Sequence, residues 1–398
     1  MSSTHSKPGT PIESSATQTR YPSVDALQKA LAGSIFQNRT DVKKAAGRAL
    51  GTIVELMTFY ILQEWGFLPN LSIERGLAEF GNDAITHNVE FGLHKAIEVT
   101  RFTAEIKTPI TAAKAWKFIE SDRALTRFRF PAEKTNKSVQ LLSSDFILRN
   151  SCTIAEFDNS LMILNLCGYD GTRSDIGISK LKLQPFAMIE CKRVGIEDGQ
   201  KKGPTTIEKA KQGAYVAKHV SALQKVRARD GSLYGAMPMA NGGFEFRELS
   251  EELRRLIYDA PATELEGFIL TVGVVSNHGN WFTAENMNKE LLVLNQSYDW
   301  LLFLTDAAIS EFVSDTILSD AESMSPIKDA FSASYSSGES GKNQFTKVRI
   351  DLKAHVALSR YFHDHIDRIE KDWFNILSPV GSDIYALKRD LKQLSQKL

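Results

Sequence analysis

The chain has 398 residues, of which 42% are hydrophobic and 24% charged, an ordinary composition for a soluble globular protein of this size. Its 48 basic and 48 acidic residues give no net charge, which excludes a protein that coats nucleic acid indiscriminately, so any DNA binding must come from local patches. Three cysteines are too few for a zinc cluster or a disulfide framework, and no stretch approaches a membrane span. A cytoplasmic location is therefore expected.

The N-terminal part of the chain predicts a tail and then two helices. Residues 1–21 have no apolar segment of the kind found in signal peptides, and we expect a mobile tail. Ser23 is suited to cap a helix from Val24 to Phe36, because its hydroxyl can accept from the first free N–H groups. Thr40 can cap a longer helix from about Asp41 to Trp65 in the same way.

The second helix carries one charged side chain in a long apolar run. From Ala49 to Gln63 only Glu55 is charged. A buried carboxylate without a partner costs several kcal/mol, so Glu55 is expected to meet a metal ion, a base or a set of hydrogen-bond donors. The alternative is a glutamate at the edge of the helix that reaches solvent or Arg48.

The middle of the chain predicts extended structure, a helix and then a sheet. Val89 to Ile106 indicates extended structure, and Thr111 to Ile119 indicates a helix. Three apolar runs then predict the strands of an antiparallel meander: Leu161–Leu166, Ile176–Ile178 and Phe186–Ile189.

Two acids and a lysine stand on the last two of these runs. Side chains alternate along a strand, so Glu190 and Lys192 are expected to share one face. A hairpin folded about Lys182 and Leu183 would place Asp175 opposite Glu190. Two carboxylates that close repel each other unless positive charge lies between them, and a hard divalent cation with oxygen ligands removes the repulsion.

The same residues suit hydrolysis of a phosphodiester by an activated water. Asp175 and Glu190 would hold the cation, and the backbone carbonyl of Cys191 would complete its shell. Lys192 would hold the attacking water, favour its hydroxide form or neutralise a phosphate oxygen. A solvated ladder of surface charges is the alternative, but Phe186 to Ile189 shows no polar alternation, which indicates a strand that is buried before the charges begin.

This pattern resembles the PD-(D/E)xK nuclease superfamily, which includes most type II restriction endonucleases. Here it reads Ser174-Asp175, fourteen residues, then Glu190-Cys191-Lys192, with Ser174 in place of the proline. The resemblance implies one or two Mg²⁺ ions per active site. It also implies a supporting or metal-binding role for Glu55, since the helix before the catalytic sheet often supplies such a glutamate. Cleavage of double-stranded DNA to 5′-phosphate and 3′-hydroxyl ends by a homodimer is implied as well.

A helix is expected after the motif, from Ile207 to about Val226, capped by Thr205 or Thr206. Gln212 on this helix resembles a glutamine that some branches of the superfamily carry there. A further helix and two apolar runs complete the predicted fold, at Glu248–Tyr258, Gly267–Val275 and Trp300–Leu304. The expected fold class is α/β, with a restriction-endonuclease-like core in which helices flank a mixed central β-sheet.

Residues 22–318 are thus expected to form the catalytic and DNA-binding region. Residues 319–343 are rich in Ser, Glu, Asp and Gly and predict a linker or long loop. Residues 344–398 predict an added C-terminal helical region, because apolar residues recur at helical spacing from Leu352 to Trp373.

Seven basic residues are candidates for contacts with DNA, through its phosphates or its guanine edges. Five of them lie in a segment that interleaves Arg and Lys with Phe, which a solvated basic loop would also explain, and two lie beside the motif. They are Arg123, Arg127, Arg129, Lys134, Lys137, Arg173 and Arg193.

Together these features predict a Mg²⁺-dependent type II restriction endonuclease that cuts specific sequences in double-stranded DNA. A cognate DNA methyltransferase is expected in the same system, though not as a bound subunit, and no membrane partner is expected. Two alternatives stay open. One is a repair or recombination nuclease that recognises DNA structure, and the other is a DNA-binding protein with a degenerate nuclease core.

Overall fold

The computed structural model describes residues 21, 23–37, 42–76, 88–194, 213–239, 241–277, 289–334 and 348–397. Its α-helices are α1 (Val24–Ser34), α2 (Val42–Glu64), α3 (Ala112–Ser121), α4 (213–219), α5 (Leu249–Arg254), α6 (Lys289–Asn295), α7 (Asp306–Asp315), α8 (Ser325–Ser334), α9 (Leu352–Asp372) and α10 (Ile384–Lys397). Its strands are β1 (Leu71–Gly76), β2 (Asn88–Ala104), β3 (Ile110–Thr111), β4 (Gln140–Leu142), β5 (Cys152–Phe157), β6 (Ser160–Tyr169), β7 (Ser174–Val194), β8 (Gln224–Arg227), β9 (Leu233–Ala236), β10 (Arg247–Glu248), β11 (Leu270–Asn277), β12 (Trp300–Leu304) and β13 (Phe374–Ser378).

One central sheet of mixed direction organises the molecule. Its order is β1-β2-β7-β11-β12-β13, and β6 with β5 extends it along the first half of β7. The neighbours β7, β11 and β12 run parallel, whereas β2 and β6 are antiparallel to β7 and β13 is antiparallel to β12. The chain is therefore an α/β protein in which helices flank a mixed central sheet, as the sequence predicts.

The strand β7 runs from Ser174 to Val194 without a turn. Its first half pairs with β6 and β2, its second half with β2 and β11, and the register with β2 is irregular between Leu93 and Glu98. The predicted hairpin about Lys182 and Leu183 is therefore wrong. The segment Lys180–Pro185 alternates lysine with leucine as a strand does, and it lacks the Gly, Asn or Asp residues that tight hairpin turns need.

The two halves of β7 contribute to separate hydrophobic cores. The main core packs α1, α2, α7, α9 and α10 against one face of the sheet, and α4 and α6 cover the opposite face. A second core, with Trp116 and Phe128 at its centre, forms between α3, β4, β5, β6 and the first half of β7. We call residues 99–182, which build this second core, the arm.

Several predicted elements are confirmed. The side chain of Ser23 accepts from the N–H of Ala26 at 3.2 Å and caps α1. The extended segment from Val89 corresponds to β2, and the helix predicted from Thr111 to Ile119 is α3, which begins one residue later because Thr111 caps it. The predicted tail up to residue 20 and the candidate caps before α2 and α4 lie outside the described residues.

Three predictions for the second half of the chain are wrong. The helix after the motif does not continue to Val226, because β8 already covers Gln224–Arg227. The predicted linker contains α8, in which Ile327 and Phe331 are buried. The C-terminal region is not purely helical, because β13 joins the central sheet as its edge strand.

Among the described residues, α2 alone is long and apolar enough to cross a membrane. The sequence had predicted no stretch of this kind. The apolar part spans Ala45–Glu64, and a stretch of 18 residues within it has a mean hydropathy of 1.3 and is 78% buried inside the protein. Because the main core surrounds it, α2 has the properties of a core helix in a soluble protein.

Candidate active site

The strands β2 and β7 part just beyond the pair formed by Phe91 and Ile189. The residues that follow this pair are two buried glutamates, Glu90 on β2 and Glu190 on β7. Here the N–H of Cys191 donates to Oε2 of Glu90 at 2.5 Å. The carboxylate of Glu90 is thereby held at the point where the strands diverge.

Lys192 joins the two carboxylates. Its Nζ lies 3.1 Å from Oε2 of Glu190 and 3.7 Å from Oε1 of Glu90. The side chain of Glu190 is 1% exposed and that of Lys192 is 24% exposed, so the lysine forms the solvent side of the cluster. The prediction that Glu190 and Lys192 share a face of the strand is confirmed.

The helix α2 brings Glu55 close enough to Glu90 for their charges to interact. One turn after Glu55, the hydroxyl of Thr58 accepts from the thiol of Cys191 at 3.4 Å and donates to the carbonyl of Val54 at 2.9 Å. This contact fixes α2 against β7. Glu55 is half-buried, and its charge acts on both Glu90 and Cys191.

The cluster holds more negative charge than one lysine balances. Burial raises the pKa of Glu90 well above its usual range, and the charges of Glu190 and Glu55 raise it further, against the opposing effect of Lys192. Burial lowers the pKa of Lys192, but Glu190 and Glu90 outweigh burial and the pKa is raised overall. Lys192 is therefore an ammonium at neutral pH.

The helix α4 and the segment before β12 close the remaining side of the site. A methyl group on Gly213 would lie 3.1 Å from Cε of Lys192, 3.2 Å from the hydroxyl of Tyr298 and 3.5 Å from Oε2 of Glu190. Glycine at this position lets α4 approach the charged cluster closely. The predicted helix after the motif thus borders the site, although Gln212 itself lies outside the described residues.

Asp175 does not lie in this cluster. It pairs with Thr103 of β2 and Gly168 of β6, at the opposite end of β7 from Glu190. Glu190 stands fifteen positions after Asp175 on one extended strand, which is roughly 50 Å along the strand. The assignment of Asp175 as the partner of Glu190 in a metal site depended on the hairpin, and it fails with the hairpin.

Glu90 takes the position that Asp175 was expected to fill. The sequence carried a signal for it, because Glu90 stands between Val89 and Phe91 as the one acid of an apolar start to a strand. What the sequence did not reveal is the pairing of Glu90 with Glu190, since about a hundred residues, including the whole arm, separate the two in the chain.

The candidate DNA-contact residues lie mainly on the arm. Six of them are exposed on the arm, namely Arg123, Arg127, Arg129, Lys134, Lys137 and Arg173. Two have partners within the protein: Nε of Arg127 is 3.3 Å from Oε2 of Glu98, and Nη2 of Arg129 donates to the carbonyl of Glu120 at 2.5 Å. Arg193 continues β7 beyond Lys192, and its side chain lies outside the described residues.

The donor atoms of the cluster suit a hard divalent cation. Glu55, Glu90 and Glu190 supply carboxylate oxygens, the ligands that Mg²⁺ prefers. The raised pKa of Glu90 reflects its burial first and then the negative charges of Glu190 and Glu55. As the described side chains stand, no three His, Cys, Asp or Glu residues form a group that could hold a metal ion. Lys192 supplies the positive charge to Glu90 and Glu190 in this arrangement.

Comparisons of the chain with protein-family models, with curated proteins and with solved structures each return no match.

Proposed function

We propose that the chain is a Mg²⁺-dependent endonuclease for double-stranded DNA, with an active site made of Glu90, Glu190, Lys192 and Glu55. The observation that supports it is the contact of one lysine with two buried glutamates at the point where β2 and β7 diverge. A buried pair of carboxylates destabilises a fold unless a cation compensates them, so such a pair is typical of a functional site.

With Glu90 in place of Asp175, the site is similar to that of the PD-(D/E)xK superfamily. One strand carries an acid, its neighbour carries acid-x-lysine, the helix before the sheet contributes a glutamate, and a helix follows the lysine strand. Glu90 departs from the aspartate of the family name, and its side chain is longer by one methylene. The restriction-endonuclease-like core is part of this proposal.

We assign the metal-binding roles from the carboxylate and carbonyl oxygens of these residues. Glu90 and Glu190 would hold Mg²⁺, Glu55 would support the same ion or bind a second one, and the carbonyl of Cys191 would complete the shell. Bound Mg²⁺ supplies a Lewis acid that polarises the phosphate and lowers the pKa of the water. Entry of the ion requires Lys192 to turn away from Oε2 of Glu190 toward solvent, the side on which it is already partly exposed.

The raised pKa of Lys192 favours its roles of holding the water and neutralising a phosphate oxygen over a role as the base that takes a proton from the water. An ammonium donates hydrogen bonds and cannot take a proton, so Lys192 is suited to orient the water and to stabilise charge on the phosphate. In the reaction the water oxygen bonds to phosphorus and the bond from phosphorus to the 3′ oxygen breaks. The water loses one proton to solvent and the 3′ oxygen gains one, which leaves 5′-phosphate and 3′-hydroxyl ends.

We further propose a cytoplasmic type II restriction enzyme that acts as a homodimer, with a cognate methyltransferase in the same system. The exposed basic residues of the arm, from Arg123 to Lys137, support a role for the arm in DNA binding. Digestion of plasmid DNA in Mg²⁺ separates the candidates. Discrete fragments support restriction, cutting only of branched or damaged DNA supports repair, and no cutting supports a degenerate core.

A pair of variants tests the site. Glu90→Gln should lower the cleavage rate by at least about 10²-fold, because it removes one of the charges that hold the cation. Asp175→Asn, the matched control at the other end of β7, should leave the rate and the Mg²⁺ requirement unchanged. Cleavage is measured on plasmid DNA at several Mg²⁺ concentrations. Full activity of Glu90→Gln, or loss of activity in Asp175→Asn alone, would reject the assignment.

A further inference from the structure

The aromatic ring of Tyr298 packs on β11 beside the proposed site, in space that Gly273 leaves open. Gly273 of β11 stands directly opposite Glu190 of β7 in the parallel ladder. A methyl group on Gly273 would lie 2.9 Å from Cδ2 and 3.0 Å from Cγ of Tyr298. Any larger residue opposite Glu190 would therefore displace the ring.

A second glycine makes room for the hydroxyl of Tyr298. The hydroxyl, Oε2 of Glu190 and Cε of Lys192 all lie within 3.1 to 3.5 Å of one point, the position of a methyl group on Gly213. Tyr298 is 1% exposed, and its hydroxyl has no hydrogen-bond partner among the described residues. Two glycines on different elements thus admit a buried hydroxyl to the charged cluster.

Toward the carboxylates of the cluster this hydroxyl can act only as a donor. A tyrosine hydroxyl ordinarily loses its proton only at about pH 10, so the phenol of Tyr298 carries a proton to donate at neutral pH. The carboxylate oxygen that borders the same glycine is Oε2 of Glu190, which Lys192 contacts at 3.1 Å. A buried hydroxyl without a partner costs about 1–3 kcal/mol, which favours a state in which it donates.

We propose that Tyr298 is a positioning residue whose hydroxyl donates to Oε2 of Glu190 when Lys192 turns toward the substrate. This inference rests on the proposed function. Tyr298 then holds one carboxylate oxygen of Glu190 while the other faces the cation. Such outer contacts fix the orientation of a metal ligand, and their loss costs about 10–100-fold in metal affinity or activity.

The segment that carries Tyr298 is firmly anchored. The carboxylate of the next residue, Asp299, accepts from the N–H and the hydroxyl of Thr271 at 2.8 Å each and from Nζ of Lys225 at 2.9 Å. All three side chains are buried. The anchor fixes the ring of Tyr298 against β11, as a positioning role requires.

The test is Tyr298→Phe, which keeps the ring and removes only the hydroxyl. Its Mg²⁺ affinity, measured by calorimetry without DNA, should fall by about 10-fold or more, while its thermal unfolding temperature stays equal to that of the wild type or rises. Tyr258→Phe is the matched control, because it also removes a tyrosine hydroxyl that donates to a carboxylate, that of Asp390 at 2.7 Å, away from the site. Its Mg²⁺ affinity should not change.

The possible failures are distinguishable. If the wild type binds Mg²⁺ and Tyr298→Phe binds it equally well, the positioning role is rejected while the proposed function stands. A lower unfolding temperature with unchanged Mg²⁺ affinity would make Tyr298 a packing residue only. If the wild type binds no Mg²⁺ and cuts no DNA, the proposed function is rejected and the role of Tyr298 falls with it.

Discussion

At the scale of single residues, the site is defined by the concentration of charge around Glu90. Burial opposes the ionisation of Glu90 most, Glu190 and Glu55 oppose it further, and Lys192 and the N–H of Cys191 favour it. The same crowding that makes the site unfavourable without a cation makes it favourable with one. Folding stability without metal should therefore depend on pH.

The sign of this dependence follows from the direction of the pKa shift. Glu90 has a folded-state pKa above its ordinary value of 4.5, so it adds stability that is fully present below about pH 4.5 and lost as pH rises through the folded-state pKa. Glu90→Gln cannot ionise. Its unfolding free energy in EDTA, measured by urea denaturation, should therefore increase relative to the wild type as pH is raised above about 4.5.

Mg²⁺ provides the control for this prediction. It should recover stability in the wild type at neutral pH, since a ligand that binds the folded state stabilises it, and it should do less for Glu90→Gln. If the unfolding free energies of the two proteins changed with pH in parallel, ionisation of Glu90 would not be what lowers the stability of the wild type.

At the scale of elements, a buried ion pair ties β8 to β11 and to the segment before β12. Lys225, just after the start of β8, and Asp299, just before β12, have side chains that are 1% and 0% exposed. Asp299 also binds Thr271 of β11 through both its backbone and its side chain. This connection positions the end of the sheet that carries Glu190 and Tyr298.

Breaking the pair should be costly. Asp299→Ala leaves a buried ammonium without its carboxylate and should lower the unfolding free energy by about 3–5 kcal/mol, as measured by chemical denaturation. The double variant Lys225→Met with Asp299→Leu should recover much of the loss, because apolar residues of similar volume remove both charges together. An Asp299→Ala protein as stable as the wild type would show that the pair does not hold these strands.

At the scale of the whole molecule, the C-terminal residues belong to the same folded unit as the site. The strand β13 forms the edge of the central sheet, and α9 packs on α2, the helix that carries Glu55. Two contacts bind the regions further: Tyr60 to Nδ1 of His355 at 2.9 Å, and Nε1 of Trp65 to Glu370 at 2.6 Å.

A chain shortened to residues 1–347 should therefore fail to fold, although the sequence suggested that its C-terminal region was an addition to a complete core. Removing α9 exposes the apolar surface of α2 to water, at about 25 cal/mol for each Å² uncovered. Circular dichroism and thermal denaturation should show no cooperative transition, in contrast to the full-length protein. A shortened protein that unfolds cooperatively and cuts DNA with Mg²⁺ would contradict this.

The sequence by itself determined the features that depend on local pattern. Alternation along β7 placed Glu190 and Lys192 on one face, an isolated charge in an apolar helix marked Glu55, and a cap residue located the start of α1. Only the tertiary structure decided which acid meets Glu190. The pairing of β2 with β7 joins residues a hundred positions apart, and it replaced Asp175 by Glu90. Strand pairing of that kind depends on long-range packing, which no short window of sequence encodes.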